Sequence, residues 1–184
     1  MYPGTAWGLG RKELITLKKT TLVTLFKVFK EVGLVNEDHY NYNQQLNKIT
    51  FDNGSTIYLI DTAYKPSDPL YERFGGLELT GAAIDESAET NLKAIDILFT
   101  RLGRCLNEHY GLTKKMLECF NSAKTHVYSR YYKPFKDNKE TESKKFIHAL
   151  PTDNPSLEVK SYVRDILLTG EGSTIQRLIY GNFE

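Results

Sequence analysis

Short apolar runs and longer stretches with an apolar residue every three or four positions alternate along this chain. Short runs favour strands, and the longer spacing favours amphipathic helices. The sequence predicts strands over residues 5–10, 48–51, 55–60, 79–84, 115–121 and 145–150. It predicts helices over residues 12–32 and 91–106. Two further helices are expected, one from Pro69 with Asp68 as its cap, the other with Asn154 as cap and Pro155 as its first residue.

The turn Asp52-Asn53-Gly54 lies between two predicted strands and indicates a hairpin, because an Asn-Gly turn requires positive φ. Strands that alternate with helices are typical of an α/β domain. We therefore predict a three-layer α/β domain with a mostly parallel sheet and an inserted β-hairpin. The length of 184 residues is sufficient for one such domain.

Composition narrows the class of protein. Hydrophobic residues make up 40% of the chain and charged residues 26%, which is typical of a globular protein. The net charge of +1 excludes a protein that is basic over its whole surface. No apolar run approaches the roughly 18 residues of a membrane span. Cys105, His109 and Cys119 do not have a recognised zinc-ligand spacing.

Charge is unevenly distributed along the chain. Residues 1–30 carry a net charge of +5, residues 31–99 carry −8, and residues 100–184 carry +4. The basic first segment is either a phosphate-binding face or an ordinary solvated helix face. A second basic region interleaves aromatic and cationic residues, which form either a stacking and phosphate-binding surface or, more typically, the edge of a core. Its members are Tyr128, Tyr131, Tyr132 and Phe135, near Lys124, Arg130, Lys133 and Lys136.

The acidic pair Asp85-Glu86 directly follows the predicted strand 79–84. In nucleotide-hydrolysing sheet domains, one acid at such a strand end holds Mg²⁺ and a second polarises the attacking water. The alternative is a helix N-terminus, whose positive dipole end favours acids such as Glu89. The pair by itself leaves both interpretations open.

The segment Gly8-Leu9-Gly10-Arg11-Lys12 is not a phosphate-binding loop of the G-x-x-x-x-G-K-[ST] type, which cradles phosphates with backbone amides and a lysine. That pattern does not occur anywhere in the 184 residues.

Six segments in order carry a resemblance to a known family. They are YPGTAWGLGRKELITLKKTTL, ITFDNGSTIYLID, PSDPLYERFGGLELTGAAIDESAE, RLGR, the strand ending FNSAK, and HALPTDNPSLEVKSYVRDIL with RLIYGNFE. In this order and spacing, the chain resembles the ATPase part of the large terminase subunit of tailed bacteriophages. The similarity covers nearly all 184 residues and implies a P-loop-NTPase-like fold.

The resemblance implies a motor that couples ATP hydrolysis to the movement of double-stranded DNA into a preformed capsid. By the family pattern, Asp85 (the Walker B acid) would bind Mg²⁺ and Glu86 would be the catalytic acid. Arg73 would complete a neighbouring subunit's active site, where a guanidinium stabilises charge on the transferred phosphoryl group. Arg11 would lie close to the nucleotide.

The coupling element of the family would fall at Asn121-Ser122. Relatives usually have Asn-Pro at this point, so Ser122 departs from the pattern and weakens the assignment of a coupling role.

The resemblance also implies cofactors, partners and location. The cofactors are ATP and Mg²⁺. The partners are double-stranded DNA, the portal protein, the small terminase subunit and further copies in a ring, with no membrane. The location is the bacterial host cytoplasm, at the procapsid.

The family's phosphate-binding loop is expected upstream of Tyr2, and its nuclease domain after Glu184. We therefore expect residues 1–184 to form a partial ATPase domain, incomplete at the N-terminus, with an exposed sheet edge and no activity alone. Two alternatives stay open: a non-catalytic remnant or interaction module with the same fold, and another DNA-directed ATPase such as a helicase core.

Overall fold

The computed structural model describes residues 2–155 and 157–183, which form two compact units. The first unit is Met1–Cys119 and the second is Phe120–Glu184. The first contains all six strands of the sheet, whereas the second consists of helices and irregular backbone.

The sheet of the first unit is mostly parallel. Its strands are β1 (Ala6–Arg11), β2 (Tyr40–Asn43), β3 (Lys48–Phe51), β4 (Thr56–Asp61), β5 (Gly81–Ile84) and β6 (Met116–Glu118). Their order across the sheet is β2-β3-β4-β1-β5-β6. The pairs β4-β1, β1-β5 and β5-β6 are parallel, whereas β2-β3 and β3-β4 are antiparallel. Because β4, β1, β5 and β6 all run in the same direction, their carboxyl ends lie at the same end of the sheet. We refer to this end as the carboxyl edge.

Helices cover both faces of this sheet, so the predicted three layers are confirmed in the first unit. The helices α1 (Leu14–Lys19) and α2 (Thr21–Glu31) pack against a cluster that includes Leu59 of β4. The helix α3 (Leu92–Phe99) packs against a second cluster that includes Ile60, the next residue of β4. Since successive residues of a strand point to opposite faces, the two clusters lie on opposite sides of the sheet.

Two glycines in β1 bring neighbouring side chains close to the strand. A Cβ at Gly8 would lie 2.8 Å from Cδ1 of Ile60, and one at Gly10 would lie 2.6 Å from Cδ1 of Ile84. Both contacts belong to the second cluster, where Ile60 and Ile84 are buried. The glycines therefore leave room over β1 for the large side chains of β4 and β5.

The single helix predicted over residues 12–32 is wrong in one respect, because it breaks at Thr20. Thr20 has φ −121° and ψ −75°, outside the helical region. Its hydroxyl donates to the carbonyl of Thr16 at 2.8 Å and accepts from Arg11 at 2.9 Å. A tertiary contact with β1 thus stabilises the break.

The predicted hairpin is present as the antiparallel pair β3-β4, with Gly54 at φ +80° and the Phe51 N–H donating to the Ser55 carbonyl. That it is an insertion stays a prediction. The strand β2 was not predicted and extends the hairpin to three strands.

Three other boundaries differ from the predictions. The helix α3 ends at Phe99 instead of residue 106, and β6 ends at Glu118 instead of residue 121. The helix expected from Pro69 is a single 3₁₀ turn over Glu72–Phe74, and Asp68 accepts the Glu72 N–H at 2.6 Å. A further short helix of the first unit is α4 (Asn107–Tyr110).

The second unit consists of short helical elements around stacked aromatic rings. Its elements are a π-helical turn (Tyr128–Tyr132), α5 (Lys133–Lys136), a 3₁₀ turn (Pro151–Asp153), α6 (Leu157–Thr169) and α7 (Gly172–Leu178). The rings of Tyr132 and Phe183 stack with centroids 4.2 Å apart, and Phe146 stacks on Phe120 at 6.0 Å. The interpretation of these aromatics as the edge of a core is favoured.

The strand predicted over residues 145–150 is wrong. Its backbone bonds to carboxylates instead of a neighbouring strand: the Phe146 N–H donates to Glu140 at 2.6 Å and the Leu150 N–H donates to Asp153 at 2.7 Å. The helix α6 begins two residues after Pro155, and Ser156 lies outside the described residues.

In the part of the chain that the structure describes, there is no helix with the length and apolarity needed to cross a bilayer.

The close approach of β5 to β6 predicts a position-specific cost for Gly81→Ala. The new Cβ would lie 2.9 Å from the Lys115 carbonyl oxygen and 2.7 Å from the Trp7 ring. Because a backbone oxygen cannot move without displacing β6, we expect a loss of about 1–3 kcal/mol in the free energy of unfolding.

Urea unfolding measures this change. Gly76→Ala is the matched control, since nothing lies within 4 Å of a Cβ at that position. We expect the control to stay within about 0.5 kcal/mol of the parent. Equal stability of the two variants would contradict the packing described here.

Candidate functional site

Charged residues meet where the parallel strands end. Arg11 closes β1 and is in register with Asp61, the last residue of β4. Asp85 follows β5, and its backbone N–H donates to the Gly10 carbonyl at 2.8 Å. Glu118 closes β6 opposite Ile84. We refer to Arg11, Asp61, Asp85 and Glu118 as the carboxyl-edge cluster.

An ion pair joins the central strands at this edge. The Nη1 atom of Arg11 lies 3.0 Å from Oδ2 of Asp85, and their side chains are 15% and 30% exposed. The hydroxyl of Thr21 donates to the same Oδ2 atom. The structure thus brings together Arg11 and Asp85, two of the site residues that were predicted from the sequence.

The other two carboxylates of the cluster have local partners. Lys65 lies 3.5 Å from Asp61, which also accepts the Ala63 N–H at 2.8 Å. The hydroxyl of Ser87, which is fully buried, donates to Glu118. These contacts hold both carboxylates in place at the edge of the sheet.

Glu86 has a backbone conformation that is unfavourable for most residues other than glycine. It is left-handed, with φ +49° and ψ +48°, a region that costs a non-glycine residue about 1–2 kcal/mol. Such outliers concentrate at functional sites. After Glu86 comes only one 3₁₀ turn, Ser87–Glu89, so the alternative of a helix dipole that favours the acids is weakly supported.

Arg73 is held inside its own chain. Its guanidinium lies 2.6 Å from Asp68 and donates to the carbonyl of Ala63, near the end of β4. It also lies over the rings of Tyr71 and Phe74, at 4.8 Å and 4.9 Å. A role in a neighbouring subunit stays a prediction, and it would require the release of these contacts.

The contact with Arg73 also changes the acidity of Asp68. Burial alone would raise the pKa of this carboxyl, but the hydrogen bond from Arg73 and the backbone hydrogen bonds outweigh burial, so that the pKa is lowered. The contribution of this ion pair to the free energy of unfolding is therefore present at neutral pH. It is lost only as the pH falls below 3.8, the ordinary pKa of an aspartate.

Asn121 and Ser122 belong to the second unit, in irregular backbone. Ser122 is buried. Their coupling role stays a prediction.

Sequence reasoning missed several residues of this site. They are Thr20, Thr21, Asp61, Ser87 and Glu118. One signal was available for the first two, because adjacent threonines in the middle of a predicted helix favour a local break through side-chain bonds to the backbone. No spacing rule identifies Asp61 or Glu118, whose positions depend on strand order.

The acidic pair affects the nearby thiol of Cys119. Burial raises the pKa of this thiol, and the negative charges of Asp85 and Glu86 raise the pKa further. The backbone places Cys119 beside them, since its N–H donates to the Ile84 carbonyl at 2.9 Å. The thiol therefore reports on charge at the acidic pair.

The carboxylate of Asp85 has the chemistry of a magnesium ligand. Within residues 2–155 and 157–183, no group of three or more His, Cys, Asp or Glu is placed to hold a metal ion. Mg²⁺ does not need such a group, because it is commonly held by one or two carboxylates, water and the phosphates of the substrate. The contacts of Asp85 with Arg11 and Thr21 both use Oδ2, which leaves Oδ1 for such a cation.

Comparison with known proteins identifies the class of fold. No protein-family profile matches the sequence, and no curated protein matches it. Solved structures of large terminases do match. The large terminase of a thermophilic bacteriophage covers 100% of this chain with a TM-score of 0.73 and 19% identity. The same protein in complex with ADP has a TM-score of 0.70 and 21% identity, again over the whole chain.

The ATPase domain of the Thermus phage P74-26 large terminase, in a variant form, covers 99% of this chain with a TM-score of 0.61 and 8% identity. The chain corresponds to 42% of the first of these terminases and 78% of the P74-26 domain. The chain thus has the mixed α/β, P-loop-like fold of large terminase ATPase domains. The resemblance stated from the sequence is confirmed at the level of the fold.

The proximity of Glu86 to Cys119 predicts a change in thiol reactivity. In a Cys105→Ser background, Glu86→Gln removes a negative charge and therefore lowers the pKa of Cys119. Since the thiolate is the reactive form, we expect faster alkylation by iodoacetamide at a fixed pH below that pKa.

The control is Glu89→Gln, the same change at an exposed acid of the next turn that does not act on the thiol. We expect its alkylation rate to equal that of the parent. A rate for Glu86→Gln that is unchanged or slower would contradict the electrostatic contact.

Proposed function

We propose that this chain is the acidic-strand part of a phage DNA-packaging ATPase, which would couple ATP hydrolysis to translocation of double-stranded DNA. The observation that carries the proposal is the Arg11–Asp85 pair at the carboxyl edge of a sheet with the large terminase fold. Ligands of open α/β sheets bind at this edge. In the cell, the protein would act at the procapsid in the host cytoplasm, with portal protein, small terminase subunit and further copies as partners.

We assign roles from the contacts of each residue. Asp85 would hold Mg²⁺ through Oδ1, while Arg11 and Thr21 fix its other oxygen. Glu86 would accept a proton from the attacking water, and its strained backbone supports a role for its side chain beyond packing. When bound, Mg²⁺ supplies charge neutralisation on the phosphates. Arg11, 15% exposed, is close enough to this carboxylate to contact a phosphate as well.

The phosphate-binding loop would come from a segment outside these residues, because no G-x-x-x-x-G-K-[ST] pattern is present. The thermophilic phage terminase structures with ADP and with ATP-gamma-S support a nucleotide as the ligand of this fold. We therefore propose that the chain needs this loop for turnover.

Phosphate release in the presence of duplex DNA tests the proposal. We expect no turnover by the 184-residue chain and DNA-dependent turnover by a version extended upstream to include the loop. In the extended version, Glu86→Gln should lower kcat by roughly 100-fold or more, because a general base contributes that much.

Glu89→Gln is the matched control and should keep the parent kcat. Turnover by the 184-residue chain that depends on Glu86 would disprove the need for the loop. No turnover by the extended version would favour the non-catalytic alternative.

The role of Arg73 is tested by mixing subunits. In the extended version, Arg73→Ala and Glu86→Gln chains should each be inactive and should regain turnover when mixed, if the guanidinium acts across subunits. The absence of rescue at any ratio would assign Arg73 to its own loop, where it contacts Asp68 and Ala63.

A further inference from the structure

The second unit contains a small cavity between its π-helical turn and the segment 139–146. Its volume is about 240 Å³. Small-molecule sites commonly measure about 300–1,000 Å³, so this cavity is below the size needed to enclose a nucleotide. It is large enough for a group such as a single phosphodiester.

The lining of the cavity is strongly basic. Its cations are Arg130, Lys139, Lys144 and Lys145. Its one acid, Glu140, is engaged by the Phe146 N–H at 2.6 Å. The three lysines are exposed, and within the described residues their ammonium groups form no ion pair. The cavity therefore attracts an anion.

The aromatic residues of the cavity do not offer a free stacking surface. Tyr131 and Phe146 both line it, and both stack on Phe120, with centroids 5.8 Å and 6.0 Å apart. Phe146 also stacks with His148 at 5.8 Å, and Arg130 lies 5.9 Å from the Tyr131 ring. Because these rings are used within the unit, base stacking of the kind that binds single strands is not favoured.

We propose that this basic pocket, with Lys139, Lys144 and Lys145 at its rim, binds a backbone phosphate of duplex DNA. The choice of duplex DNA as the source of the phosphate rests on the proposed function, whereas the preference for a phosphate rests on the charge and size of the pocket. Contacts of this kind depend on charge and are independent of base sequence.

The test measures the binding of a labelled duplex oligonucleotide to the full chain by fluorescence anisotropy. The measurement is made at several salt concentrations and without ATP or ADP. For Lys144→Gln/Lys145→Gln we expect binding to weaken by roughly tenfold or more at about 0.1 M salt. The slope of log K against log salt should fall by about 0.9, because the one phosphate contact of the pocket is lost.

The matched control is Lys93→Gln/Lys160→Gln, which removes the same charge from two exposed lysines outside the pocket. It should keep most of the slope and affinity. Thermal unfolding checks that the variants are folded. Lys139→Gln, at the rim of the same pocket, should also weaken binding and lower the slope, by no more than about 0.9.

Equal weakening in the pocket and control variants would overturn the proposal in favour of general charge attraction. The absence of duplex binding by the parent at low salt would overturn it too, as would displacement of the duplex by equimolar ATP. These measurements do not involve ATP hydrolysis, so they test the pocket separately from the proposed motor. If the chain binds DNA through the pocket but the extended version does not hydrolyse ATP, the pocket is supported and the motor function is contradicted.

Discussion

The ion pair between Arg11 and Asp85 is the contact on which the arrangement of the first unit depends. It joins the ends of β1 and β5, and through Thr20 and Thr21 it also connects both to the start of α2. Three segments of the chain thus meet at two charged groups. An uncompensated Asp85 at this position would be costly, since a partly buried charge needs a partner.

Acidic residues gather around this pair. Asp61, Glu86 and Glu118 lie at the same edge, where Lys65 contacts Asp61 and a serine hydroxyl contacts Glu118. Several carboxylates held by hydroxyls and backbone amides attract cations. This concentration of acids supports the proposed magnesium site at this end of the sheet, and this support does not depend on any likeness to another protein.

Much of the first unit could be predicted from the sequence, because its strands and turns follow from patterns of neighbouring residues. The apolar run before Asp85 indicated β5, and Asn53-Gly54 indicated the β3-β4 turn. What could not be predicted depends on distant partners. The break at Thr20 follows from its bond to Arg11, and the strand predicted over 145–150 is absent because carboxylates take its amides. The same distinction holds for the candidate site. An acid directly after a buried strand can be recognised in the sequence, whereas the contact of Thr21 with Asp85 depends on how the chain folds.

The left-handed backbone of Glu86 gives an argument for its role that does not use the resemblance. Glycine adopts this conformation readily because it has no Cβ to approach the following carbonyl, and asparagine adopts it because its short amide can bond to the nearby backbone. Backbone bonds close the turn, since the Ser87 N–H donates to the Cys119 carbonyl and the Glu86 carbonyl accepts the Glu89 N–H. A glutamate in this strained conformation, directly after Asp85, supports our proposal that its side chain acts in the chemistry of the site.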